Sequence, residues 1–250
     1  MVIAIINSKG GVGKTATAVG LAAALAAPRR RILLVDLDSQ ACASRWCGVP
    51  RSQLRPSAAS VLLEKYPMLK AIRRTAVPHL DLVTGSLELA NADLALAAVR
   101  GREAVLRRHI ERVSEHYDLV VLDCPPGLSL LGINALLAAD GLVIPVAAEP
   151  MAVEALDALM SSIERVRARM QSASRLLGLV LTQTDPRRAL TRETGERLRA
   201  EYRDLVFHTE LRWTAGLAAA PAARRPPAAT DAFRRLGGEV LHRLAAARHI

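Results

Sequence analysis

The sequence predicts an α/β fold: a mostly parallel, twisted sheet with helices on both faces, in a single domain spanning residues 1–250. Three observations predict it. Short apolar runs alternate with longer stretches of helical periodicity, the pattern of parallel strands joined by right-handed crossovers. Apolar residues make up 51% of the chain and aromatics only 3%, so Leu, Val, Ile and Ala must fill the core, as in a sheet covered on both sides. A length of 250 residues supports one large core and makes more than two domains improbable.

Val2–Ile6 reads as the first buried strand and leads into the glycine-rich stretch Lys9-Gly-Gly-Val-Gly-Lys-Thr15, after which an alanine- and leucine-rich helix runs near 14–27. Further strands are expected at Ile32–Val35, Leu80–Val83, Leu119–Leu122, Leu142–Val146 and Leu177–Leu181, with Val206 and Phe207 starting a seventh. Helical periodicity marks segments near 58–65, 87–99, 101–116, 151–170, 189–202 and 230–247. Residues 218–229, rich in Ala, Pro and Arg, read as a surface loop before the last helix.

Composition excludes several classes. No apolar run reaches the roughly 18–20 residues of a membrane span, and residues 1–6 lack the basic region of a secretory signal, so a cytoplasmic location is expected. Cys42, Cys47 and Cys124 cannot all pair within one chain; they have no zinc spacing and are expected as thiols. The six histidines show no ligand spacing, and Trp46 and Trp213 are expected as packing anchors. Net charge is +10, and residues 161–250 carry 17 basic against 9 acidic groups. A basic carboxy-terminal third points to a polyanion, either nucleic acid or an anionic surface. Of the 34 basic residues only four are lysines, and two of those, Lys9 and Lys14, lie in the glycine-rich stretch.

That stretch fits the pattern G-x-x-x-x-G-K-[ST] between a strand and a helix. Gly10, Gly11 and Gly13 allow backbone N–H groups to turn toward phosphate oxygens at a helix N-terminus, with Val12 and Ala16 in the same cradle. Lys14 is placed to reach the β- and γ-phosphates of a nucleotide, and Thr15 to ligate Mg²⁺. After the second strand, Asp36 and Asp38 stand at i and i+2, so an extended segment would aim both carboxylates the same way. Asp118-Leu-Val-Val-Leu-Asp123 ends in an acid after four apolar residues, the pattern of a carboxylate that holds Mg²⁺ through a water.

Lys9 carries the resemblance. A lysine opening the loop before two glycines is similar to the deviant Walker A motif of the ParA/MinD ATPases, a group of P-loop NTPases. Asp36-Leu-Asp38-Ser-Gln40 resembles the family's D-x-D-x-Q segment, with serine where proline is usual. Leu87–Asp93, the Asp123-Cys-Pro-Pro-Gly127 switch segment, the helix-like run Leu130–Asp140, Ile144-Pro-Val146 with Glu149, and Thr182-Gln-Thr184-Asp185-Pro-Arg187 also fit, so the resemblance covers nearly the whole chain. It implies that Lys9 acts across a dimer interface, that Asp38 positions or deprotonates the attacking water, and that Asp36 supports the Mg²⁺ site. It also implies that Thr184 and Asp185 lie near the adenine. Gln183 stands where a guanine-specific site would have lysine, so ATP and ADP with Mg²⁺ are the expected cofactors. The implied activity is weak, partner-stimulated ATP hydrolysis.

The same resemblance implies an ATP-bound homodimer on the nucleoid that holds DNA without sequence preference and works with a ParB-like activator to segregate chromosome or plasmid DNA. Related proteins position other cargoes, such as carboxysomes and chemoreceptor arrays. Arg187, Arg192, Arg212, Arg224 and Arg225 are the candidate DNA contacts, with Arg234 and Arg235 as alternatives. The family's second DNA-binding arginine falls at Gly216, which leaves the DNA surface open. A membrane-bound MinD-like alternative needs an amphipathic anchor after the last helix, and only about six residues follow Leu244; no membrane partner is expected. A cluster-bridging reductase needs more cysteines near the switch than Cys124.

Overall fold

Strand β1 (Val2–Ile5) is the centre from which the sheet is built, because its alternating residues are buried on both faces. Ile3 and Ile5 join one core, while Val2 and Ala4 join the other. The same period-two split recurs in β2 (Ile32–Asp36) and β5 (Leu119–Asp123), which is why these strands read as continuous apolar runs. The computed structural model describes residues 1–149, 151–212 and 230–246.

Adding β3 (Ile72–Arg74), β4 (Leu80–Val83), β6 (Gly141–Ala147), β7 (Arg175–Thr184) and β8 (Leu211–Arg212) gives an eight-stranded sheet. The order is β3-β4-β2-β5-β1-β6-β7-β8. Every pairing is parallel except β3 with β4. β3 is a three-residue edge strand containing Arg73 and Arg74, so it has no apolar run to announce it. The expected strand at Val206 and Phe207 is reduced to one bridge from Val206 to Leu179; the sheet closes instead with Leu211 and Arg212.

Helix α1 (Lys14–Leu25) and the last described helix, α10 (Asp231–Ala246), pack together on one face. Phe233, Leu236, Val240 and Leu244 of α10 are buried in that core, so its apolar stripe is already spent on α1 and the sheet. On the other face lie α3 (Ala58–Leu63), α5 (Ala92–Leu96), α6 (Val105–Glu111), α7 (Leu130–Ala138) and α8 (Ala152–Met170). The other described helices are α2 (Cys42–Trp46), α4 (Met68–Ala71) and α9 (Ala189–Tyr202). The segments expected as helix over 87–99 and 101–116 are shorter and mixed: a 3-10 turn covers Leu87–Asn91 before α5, and 3-10 turns flank α6. Gly101, in the left-handed region at φ +64°, breaks the periodicity between them. Among the described residues, no helix is long and apolar enough to cross a membrane. The segment 218–229, Trp213, Gly216, Arg224 and Arg225 lie outside the described residues.

Candidate nucleotide-binding site

The glycine loop, the Asp36–Gln40 segment, Asp123 and the Thr182–Arg187 segment lie at the carboxyl ends of β1, β2, β5 and β7, where parallel sheets place their ligands. The loop leaves β1 through Asn7. Its buried amide donates to the Pro145 carbonyl of β6 at 2.7 Å, while its oxygen accepts the Lys9 N–H at 2.9 Å. Gly11 and Gly13 then adopt φ +78° and +86°, a region costly for any residue with a Cβ, and α1 starts immediately afterwards. The outer wall comes from β7: Thr182 donates to the Val12 carbonyl at 2.8 Å, and the Gln183 amide donates to the Gly11 carbonyl. With these carbonyls tied back, the loop N–H groups at the N-terminus of α1 are available to an anion.

Inside the loop, Lys14 is only 7% exposed, and its ammonium donates to the Lys9 carbonyl at 2.7 Å. Burial lowers its pKa, and the nearby charge of Asp123 opposes that shift. Lys9 points elsewhere. Its half-exposed ammonium pairs with the half-exposed carboxylate of Glu149, beyond the end of β6.

The three aspartates take different environments. Asp123, the last residue of β5, is fully buried, and among the described residues neither carboxylate oxygen has a hydrogen-bond partner. Burial first, then the charge of Asp36, raise its pKa well above the usual carboxylate range, while Thr15 and Lys14 pull the other way. Such an orphaned buried carboxylate beside a threonine hydroxyl suits a hard cation that also takes phosphate oxygens and water. The Gly11–Thr15 cradle and the Thr15–Asp123 donor set therefore fit a nucleotide with Mg²⁺.

Asp36 is equally buried but fully occupied. One of its oxygens accepts the Asp38 N–H at 3.1 Å, and the other accepts the Ser44 N–H at 2.8 Å and hydroxyl at 2.6 Å. Burial nevertheless raises its pKa to about 6. The expected parallel aim of Asp36 and Asp38 is not observed. β2 ends at Asp36, the chain turns, and the two-residue alternation does not continue. Asp36 faces inward to Ser44. Asp38 is partly exposed, and the Gln40 N–H donates to one of its oxygens at 2.9 Å. Ser44 and Gly85, which complete this arrangement, were invisible to motif reading; so were Asn7 and the loop-tying roles of Thr182 and Gln183.

On the far side of Gly11 a cleft of about 750 Å³ is lined by Gln183, Thr184, Asp185, Arg187, Arg188 and Arg212. Thr184 lines this cleft, and its hydroxyl is buried with no hydrogen-bond partner among the described residues. Asp185 accepts from the Arg187 N–H and guanidinium, and these bonds hold its pKa down to about 2. Arg187 and Arg212, expected as DNA contacts, thus flank the nucleotide cleft. Arg192 reaches back to the Pro186 carbonyl at 3.0 Å. Cys124 is buried beside Asp123, and burial raises its thiol pKa.

A glycine cradle, a buried lysine and a buried strand-end aspartate on a parallel sheet define a phosphate-binding-loop nucleoside triphosphatase. The family model described as AAA domain matches residues 1–176. The chain is 40% identical over 254 residues to the chromosome-partitioning ATPase Soj of Thermus thermophilus, covering 97% of this chain and 96% of that one. It is 36% identical over 251 residues to the chromosome partitioning protein ParA of Caulobacter vibrioides, covering 97% and 94%. The cobyrinic acid a,c-diamide synthase of Mycobacterium smegmatis, solved with ADP and magnesium, superposes with a TM-score of 0.85 at 30% identity over 98% of this chain and 95% of that one. The chain belongs to the ParA/Soj family of partition ATPases. Its cofactors are accordingly ATP or ADP with Mg²⁺.

Proposed function

We propose that the protein is a nucleotide-switched ATPase that dimerises with ATP, holds DNA without sequence preference in that state, and segregates chromosome or plasmid DNA with a ParB-like activator. The observation that carries this reading is the division of labour between two lysines. Lys14 is buried in the cradle and serves its own subunit's nucleotide. Lys9 stands at the mouth, held by one exposed ion pair to Glu149 that is worth only about 0.2–1 kcal/mol. A phosphate presented by a second subunit competes easily for such a lysine.

In this reading Gly10 to Ala16 bind the phosphates, Thr184 and Asp185 line the adenosine side, and Thr15 and Asp123 face the cation. Mg²⁺ held by Thr15 and Asp123 would supply positive charge against that developing on the phosphate oxygens. Asp38, partly exposed and with one oxygen accepting the Gln40 N–H, orients the water that attacks the γ-phosphate. The protein works in the cytoplasm on the nucleoid. The Soj and ParA relatives are named for partitioning, which favours DNA as the cargo.

Because log affinity falls by about 0.9 per phosphate neutralised per decade of salt, pairing two basic surfaces roughly doubles the salt slope and separates weak from firm binding. The test is retention on random-sequence DNA across a salt series. ATP should give firm, salt-sensitive retention of a dimer and ADP should not; equal retention in both states removes the switch. Lys9→Ala should bind nucleotide as a monomer and lose ATP-dependent retention.

A further inference from the structure

The contrast between two buried aspartates leads beyond the nucleotide contacts. Asp123 has both oxygens unpartnered, whereas Asp36 spends its carboxylate on the protein itself. The residue that occupies Asp36 is Ser44, fully buried at the third position of α2. Ser44 gives Asp36 both its backbone N–H and its hydroxyl, at 2.8 and 2.6 Å. The same hydroxyl oxygen accepts the Gly85 N–H at 2.9 Å, two residues past the end of β4. Asp36 in turn accepts the Asp38 N–H at 3.1 Å. A continuous path therefore runs from Gly85 through Ser44 and Asp36 to the backbone of Asp38.

Slack in this path is small. A Cβ on Gly85 would lie 2.6 Å from the Asp38 carbonyl oxygen and 2.8 Å from the Asp36 carboxylate. The Asp38 carbonyl is also held by the Ala41 N–H at 3.0 Å, in a turn that puts Ala41 at φ +50°. Backbone donor and acceptor of Asp38 are thus both fixed, while its side chain remains partly exposed near Lys14 and Asp123. A buried charge holds its partners firmly, because each hydrogen bond to it is roughly twice as strong as a neutral one.

We infer that Ser44 is a positioning residue for ATP hydrolysis: by binding Asp36 it sets the segment that carries Asp38 against the phosphate loop. The inference rests on the reading of Asp38 as the residue that orients the attacking water. Ser44 itself touches no reacting atom. Its loss leaves Asp36 short of one strong donor and lets the Asp38 turn shift, and a shift of about 1 Å in a water-orienting group costs on the order of a hundredfold in rate. Nucleotide affinity is set by the Gly11–Thr15 cradle, so it should not follow.

The test compares wild type, Ser44→Ala, Gly85→Ala, the double variant and Asp38→Ala. Single-turnover hydrolysis of radiolabelled ATP is measured beside KM and the affinity for a fluorescent ADP. Ser44→Ala should slow the chemical step about 10- to 100-fold, the range for one lost charge-assisted hydrogen bond, with KM and ADP affinity within about twofold of wild type. Gly85→Ala, which displaces the Asp38 carbonyl from the other side, should reproduce that split. The double variant should be no more than about threefold slower than the slower single, because both changes act on one turn. Parallel loss of affinity and rate, fully multiplied effects in the double variant, or a wild-type rate in Ser44→Ala each overturn the positioning role. Asp38→Ala separates the two levels: if it hydrolyses ATP at the wild-type rate, the reading of Asp38 fails. If it is inactive while Ser44→Ala is unimpaired, only the inference about Ser44 fails.

Discussion

Replacing Asp123 with asparagine should make the nucleotide-free protein more stable while destroying its response to Mg²⁺. The side chain is fully buried, both oxygens lack partners, and Asp36 adds a like charge nearby. Burial and that charge raise its pKa, and the folded state bears the cost of a carboxylate buried without a partner. A buried polar group left unsatisfied costs about 1–3 kcal/mol, and a charged one more. Two effects reduce the gain: the amide is itself a buried polar group, and Lys14 loses a nearby countercharge. A net gain of about 1–3 kcal/mol remains, or roughly 3–10 °C in Tm for a chain of this size. Calorimetry without nucleotide or metal measures it. Wild type should then gain about 2.7 kcal/mol from Mg²⁺-nucleotide at a hundred times Kd, with the variant gaining clearly less. A variant that melts at or below wild type without ligand, or that responds equally to Mg²⁺, would refute the assignment of Asp123 as an uncompensated carboxylate waiting for a cation.

The same electrostatics set the pH dependence of the nucleotide-free protein. Asp36 titrates near 6 in the folded state, above its unfolded value, so the native state holds more protons between about pH 4 and 6. Stability should therefore fall as pH rises through that window, by up to about 3 kcal/mol, and melting curves at pH 4.5 and 7.5 show the sign. Glu149→Gln releases Lys9 from its ion pair and should lower the ATP concentration needed for half-dimerisation, by up to about fivefold per subunit, in light scattering. An unchanged midpoint would mean that the pair does not compete with the interface. Arg243 donates to the Leu177 and Leu205 carbonyls at 2.8 and 2.9 Å and stacks on Phe207, joining α10 to the edge of the sheet. Arg243→Ala should lower stability by about 2–4 kcal/mol in denaturant titration with nucleotide affinity unchanged.

The local chemistry of the phosphate loop was legible from residue order alone, because its geometry is local. Gly11, Gly13, Lys14 and Thr15 follow a buried strand and open a helix, a pattern carried by consecutive residues, while the ties from β6 and β7 come from distant ones. The buried strands were legible for a related reason: β1, β2 and β5 are covered on both faces, so each is an uninterrupted apolar run ending where its functional residue begins. β3 escaped notice because a three-residue edge strand gains its order from pairing with β4 and carries two arginines. The pairing of Lys9 with Glu149, 140 residues apart, came from sheet order, since β6 lies beside β1. Tertiary structure alone also separated the aspartates. Residue spacing makes Asp36 and Asp38 look like a matched pair and leaves Asp123 apart. Folding turns Asp36 inward to Ser44 and Gly85, and leaves Asp123 buried without a partner. Sequence determined that a glycine loop of phosphate-binding pattern exists and which consecutive residues form it. The role open to each carboxylate was decided by burial and by the hydrogen-bond donors that distant strands bring to it, quantities a linear pattern does not contain.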